Sequence, residues 1–374
     1  MAEDKTNAVR ESAAPEMHFQ AKNALAIVKI YSGRPVRIME VCGTHTHAIF
    51  RYGIRSLLPE NVNLISGPGC PVCVTETGYI DEAVFLTKKE NVTLTTFGDL
   101  IRVPGSETSL AGARANGADV RIVYSPFDAL KMAGDNPNRE IVFLSVGFET
   151  TVPAELLCVK RAKEAGIRNF SLLVANKTMD NAYPVLKDSA DAFLYPGHVS
   201  TMTGMGIYRK LQKEGISGAV CGFTADEILT ALAVLLTKLG EGRPFAENCY
   251  PRVVTEEGSP AARTLIAELT CPCDTVWRGI GVIPGSGLAL REEYAAWDAA
   301  KKFSVPHLSG HPNPACRCGD ILRGEIRPPE CPLFGRTCTP DHPVGACMVS
   351  SEGTCAAYYK YSGHGDAAGA FLGR

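Results

Sequence analysis

Residues 36–58 read VRIMEVCGTHTHAIFRYGIRSLL: a short apolar run, a turn at Cys42-Gly43, then a stretch with helical character. A β-rich run that stops at a turn and gives way to a helix is half of a βαβ unit. The same order recurs along the chain. Val62–Ser66 leads into GPGCPVC, Val92–Phe97 into Gly98-Asp99, and Val120–Tyr124 into Ser125-Pro126. A second series follows: Ile141–Val146 into GFETT, Phe170–Val174 into ANKT, Ala192–Tyr195 into PGHVS, and Gly218–Cys221 into GFTADEILTALAVLLTKL. This alternation predicts an α/β fold with two similar parallel-sheet lobes, at 36–137 and 138–250. After about Tyr250 the pattern thins into Pro/Gly-interrupted segments, so residues 251–374, completed by 1–35 with a helix around Lys22–Tyr31, are expected to form a third, cysteine-rich domain.

Open parallel sheets build their sites at the carboxyl ends of strands. Cys42, Cys70, Cys73, Asp99, Glu149, Thr150 and His198 each lie just past an apolar run. They are therefore expected to line one edge of the two sheets and to face a shared cleft.

Composition narrows the chemistry. The 374 residues carry a formal charge of −2, with Lys+Arg 38 against Asp+Glu 40, which gives no basic field for nucleic acid or an anionic membrane. The polar stretch MAEDKTNAVRESAAPEMHFQ lacks the apolar core of a signal peptide, and the best apolar run, Ile228–Leu239, is too short to span a bilayer. A cytoplasmic location is expected. There, 14 cysteines argue for metal ligation or reactive thiols rather than a disulfide framework.

The cysteines fall into groups. Cys42 shares its turn with His45 and His47, beside the start of a helix, whose partial positive charge favours a thiolate nucleophile or metal ligand. Cys70 and Cys73 stand two residues apart in a Gly/Pro turn, a spacing that suits a redox dithiol or half of a metal site. Cys271-Pro-Cys273 is too tight for half of a zinc site, and Cys158, Cys221 and Cys249, single and apolar-flanked, read as core thiols.

The tail, from Cys316 on, holds six cysteines: Cys316, Cys318, Cys331, Cys338, Cys347 and Cys355. It is rich in Pro and Gly, so sulfur chemistry is expected to hold it together. The wide gaps suit an iron–sulfur centre better than zinc. Cys331, Cys338 and Cys355 are expected as three ligands, with Cys316 or Cys318 as the fourth, which leaves one thiol of that pair and Cys347 over. His198, in PGHVS, follows a strand on the expected active edge, where a structural role is an equal reading.

At these residues the chain resembles the HypD family of hydrogenase maturation factors. The resemblance runs through MEVCGTHTHAI, GPGCPVCV, TFGDLIRVPGS, GADVRIVYSPFDALK, VGFETT, PGHVS, WRGIG, CRCGDIL, CPLFGRTCTP and GACMVSSEGTCAAYY. Thr44 departs from it, standing where the family commonly has a second glycine. The family fold, two α/β lobes and a cluster domain, agrees with the pattern above. The resemblance implies a scaffold, formed with the small chaperone HypC, on which the Fe(CN)2CO group of [NiFe]-hydrogenase is assembled. Cyanide would arrive from a thiocyanate on the C-terminal cysteine of HypE. Carried over, Cys42 would be the iron ligand with Cys70 and Cys73 as the nearby dithiol, and Cys316, Cys331, Cys338 and Cys355 would hold a [4Fe-4S] cluster. Similarity to ferredoxin–thioredoxin reductases implies Cys318 and Cys347 as the spare pair. His198 and Glu352 match positions regarded as functional. A stand-alone, cluster-dependent thiol–disulfide oxidoreductase is the competing expectation, and a zinc-stabilised interaction protein a third.

Overall fold

The structure, a computed structural model, describes residues 23–361. In chain order its strands are β1 (Val36–Glu40), β2 (Val62–Ser66), β3 (Val92–Thr96), β4 (Val120–Ile122), β5 (Glu140–Ser145), β6 (Phe170–Val174), β7 (Ala192–Pro196), β8 (Gly218–Cys221), β9 (Ala246–Asn248), β10 (Thr270–Trp277) and β11 (Gly281–Leu290). Among the described residues no helix is long and apolar enough to cross a membrane.

The chain divides into two compact units, one of residues up to Gly67 with Leu186–Gly258, the other of Pro68–Val185 with Ser259 onward. In the first, all strands are parallel in the order β2-β1-β7-β8-β9. Ile38, Leu64, Leu194 and Ala219 from its strands pack against Ile228, Leu232 and Leu235 of the helix Ala225–Gly240. That helix starts where the sequence says it should. Thr224 and Glu227 form a reciprocal capping box that satisfies backbone N–H groups at its first turn.

The second unit has a parallel sheet in the order β4-β3-β5-β6, and the antiparallel hairpin β10–β11. Val92, Leu94, Val142 and Leu144 face one core; Ile141, Phe143, Phe170 and Leu172 face the other. Both faces of the sheet are thus covered, which explains why its strands read as nearly continuous apolar runs.

Two α/β lobes with parallel sheets are therefore present, but their boundaries differ from the expected 36–137 and 138–250. β1 and β2 share a sheet with β7–β9, while β3 and β4 pair with β5 and β6. Local alternation makes strands parallel; it carries no information about which distant strand lies alongside. The expected separate domain at 251–374 with 1–35 also differs. Ala24 and Val28, on the helix at residues 23–29, pack into the first unit's core. Leu269, Leu288, Tyr294, Trp297, Ala346 and Val349 join the cores of the second unit. The tail does contribute to a core; its apolar residues are scattered among turns and show no period. Residues 1–22 (with Lys22 of the expected helix) and 362–374 lie outside the described residues.

Candidate functional site

The first unit presents one chemical centre, at the ends of β1 and β7. Cys42 is the N-cap of the helix Gly43–Arg51 and is buried. Its Sγ lies 3.9 Å from Nδ1 of His198, in the helix Gly197–Thr203 directly after β7. Burial pushes the His198 pKa down, so the ring is neutral. His45 is fully buried and lowered to about 4 by desolvation; its Nε2 lies 2.8 Å from the carbonyl of Gly222, which can only accept, so Nε2 carries the proton. The rings of His45 and His198 both lie against Phe223. Beneath Cys42, burial raises Glu40 to about 7, and its carboxyl accepts from Thr46 Oγ1 at 2.6 Å and from the Cys42 N–H at 3.3 Å. The result is a thiol on a helix N-terminus among neutral imidazoles.

The second unit holds the remaining predicted cysteines. Cys70 caps the helix Pro71–Val74, and its Sγ accepts from the Cys73 N–H at 3.2 Å and from the Cys73 thiol at 2.7 Å. Cys73 also lies beside Cys347, and burial raises its pKa well above the thiol range. Cys347 in turn lies 2.7 Å from Cys318, sulfur to sulfur. Donation from Cys318 lowers the Cys347 pKa. Cys318 is bonded to Cys316 as well. The sulfurs thus run in sequence Cys70, Cys73, Cys347, Cys318, Cys316, with Cys347, whose pKa is lowered, in the middle.

The far end opens on a small cavity lined by all six tail cysteines together with Ile321, Leu333, Phe334 and Met348. Cys316, Cys331 and Cys338 all act electrostatically on Cys355, which burial raises above the ordinary thiol value. Soft sulfur donors inside an apolar shell fit a thiolate-held iron–sulfur cluster. No three His, Cys, Asp or Glu side chains gather at the spacing of a single-ion site among the described residues.

One residue in this region, Ser350, was not singled out from the sequence. Ser350 accepts from the Cys70 thiol at 3.3 Å and donates to Asp99 Oδ2 at 2.9 Å. Asp99 also receives the N–H and hydroxyl of Ser351, which fixes the turn after Val349 to the end of β3. Nothing but the neighbourhood of Cys355 in the sequence hinted at Ser350. Glu352 sits exposed in the same turn, its N–H donating to Ser350 Oγ. Glu149 accepts from the Met179 N–H and is raised to about 7 by burial. Cys158 and Cys221 are core thiols as expected, while Cys249 is half-buried against the first core.

The sequence comparison settles the family. Residues 19–362 match the family model described as HypD, "Hydrogenase formation hypA family". This chain belongs to the HypD family. It is 45% identical over 340 residues to the hydrogenase maturation factor HypD of Azotobacter vinelandii, covering 88% of this chain and 90% of the relative. With HypD of Escherichia coli (strain K12) it shares 44% over 337 residues, with the same coverage. The hydrogenase expression/formation protein HupD of Azotobacter chroococcum mcd 1 is 44% identical over 340 residues, covering 88% of this chain and 90% of that protein. HypD proteins serve hydrogenase maturation, and the two centres above are where this HypD-family chain concentrates its reactive side chains.

Proposed function

We propose that this chain assembles the Fe(CN)2CO group of [NiFe]-hydrogenase together with HypC, taking cyanide from a thiocyanate on HypE. The observation that carries the reading is the ordered run of sulfurs from Cys70 to Cys316. Cyanide release from a thiocyanate consumes two electrons and one proton and leaves a thiol. Reduced Cys70 and Cys73 supply both electrons and become a disulfide.

The chain's own residues can restore that dithiol. Cys347, whose pKa donation from Cys318 lowers, attacks Cys73 and expels Cys70 as a thiolate. Cys318 then attacks Cys347, forms the Cys318–Cys347 disulfide and expels Cys73 as the second thiolate. Two electrons have moved along the run, and each sulfur has exchanged only with its neighbour in the run. Cys316, Cys331, Cys338 and Cys355 would hold a [4Fe-4S] cluster, which when bound supplies electrons singly. The iron being dressed is the substrate. Cys42 would ligate it, and Nδ1 of His198 is a neutral base 3.9 Å from the Cys42 sulfur.

The deciding experiment is infrared spectroscopy of the complex with HypC. Cys42→Ala should fold normally and lose the metal-bound CN and CO bands; retention of those bands would remove Cys42 from the iron. The run of sulfurs by itself also suits a thiol–disulfide oxidoreductase without iron cargo. In that case the wild-type complex would show no such bands.

A further inference from the structure

The WRGIG segment ties the two ends of the sulfur run together, and its arginine has no place in the steps above. The Arg278 backbone N–H donates to the Val74 carbonyl at 2.8 Å, and its Nε donates to the Thr75 carbonyl at 2.7 Å. Both carbonyls belong to the end of the Cys70–Cys73 helix. One residue on, Gly279 presses against Gly319, the neighbour of Cys318: a Cβ built on Gly279 would stand 2.2 Å from the Gly319 Cα. Arg278 is therefore held between the Cys-x-x-Cys and Cys-x-Cys segments by backbone contacts on both sides.

Its charge is buried: the residue is 9% exposed, and Nη2 has no hydrogen-bond partner among the described residues. Cys316 and Cys318 both feel the guanidinium, as does the half-buried Glu76 carboxylate. A guanidinium cannot discharge by losing its proton, so a positive charge is permanently built in beside the sulfurs. In a low-dielectric surrounding, such a charge favours any neighbouring group gaining an electron.

We propose that Arg278 is a positioning residue whose fixed positive charge raises the electron affinity of the cluster held through Cys316, so that electrons arrive at the Cys318 end of the run. The proposal rests on the functional reading above.

The test is a redox titration of the anaerobic full-length protein followed by electron paramagnetic resonance, on wild type, Arg278→Met and Arg278→Lys. Arg278→Met should keep its iron and sulfide but bind the electron at least tenfold more weakly, a fall of about 59 mV for a one-electron couple. Arg278→Lys, which keeps the charge and loses the Nε bond to Thr75, should titrate close to wild type. Equal potentials for wild type and Arg278→Met at equal iron content would overturn the proposal. So would equal loss of iron from both variants, which would make Arg278 a packing clamp. A wild-type protein with no iron–sulfur signal would instead overturn the functional reading, and this inference with it.

Discussion

Ser145, Glu155 and Asn176 show how a buried acid is kept neutral. Ser145 Oγ lies 2.6 Å from Glu155 Oε2 and 2.7 Å from Asn176 Oδ1, while Asn176 Nδ2 donates to Glu155 Oε2 at 2.8 Å. A hydroxyl has one hydrogen and cannot serve both acceptors. The ring closes if Glu155 is protonated and donates to Ser145, which then donates to Asn176. Desolvation raises Glu155 from 4.5 to about 7, in line with this count. Between those two values the folded state binds the extra proton, so this group's effect on stability worsens as pH rises from 4.5 to 7 and is flat beyond. The full cost is on the order of 3 kcal/mol. Glu155→Gln mimics the protonated form. It should match wild type in denaturant unfolding at pH 5 and exceed it at pH 8; equal curves at both values would refute the ring. Ser350→Ala should destabilise by about 1–2 kcal/mol, since Asp99 and Cys70 each lose a partner. It should also speed alkylation of Cys70, read by mass spectrometry of trapped thiols. Cys42 and the Cys70/Cys73 pair were legible because a cysteine in a strand-to-helix turn stands out locally. Ser350 and Glu155 were not, because their roles come from residues far away in sequence.

At the scale of elements, the second unit depends on glycines where backbones touch. The helix Cys318–Leu322 meets the β10–β11 turn with Gly319 against Gly279, which itself has φ of 74°. A Cβ on Gly319 would stand 2.7 Å from the Gly279 Cα and carbonyl oxygen, so backbone must move to admit it. Gly319→Ala should cost about 1–3 kcal/mol and should lower the iron retained on purification. Thermal unfolding and iron analysis check both; an unchanged melting temperature would mean that the contact can relax. The short helices Pro71–Val74 and Ala346–Val349 carry Cys73 and Cys347, and neither has the length to be stable alone. The second is positioned by Val349 and Ala346 packed in the core, a feature the irregular tail sequence hides.

Across the whole molecule, the first unit's sheet is closed by strands from two separate stretches of chain, and the second sheet by four consecutive strands. A fragment of residues 36–137 would hold β1 and β2 without β7, and β3 and β4 without β5. It should show no cooperative unfolding by circular dichroism. A chain joining 23–67 to 186–258 through a flexible linker of roughly 15 residues keeps the five paired strands of the first unit and should unfold cooperatively. Cooperative folding of 36–137 with no transition in the joined chain would contradict the pairing.

The sequence by itself determined the alternation of strands and helices, the parallel sense of the strands in the two larger sheets, and the placement of Cys42 just past β1. Those are local properties, set by side-chain period and turn chemistry within a dozen residues. Only the tertiary structure decided which strands share a sheet, that Cys347 bridges Cys73 and Cys318, and that Arg278 lies between the two cysteine motifs. Cys73 and Cys347 are separated by hundreds of residues of chain. Their approach is a consequence of which apolar faces the cores bury together, and no local pattern records that choice.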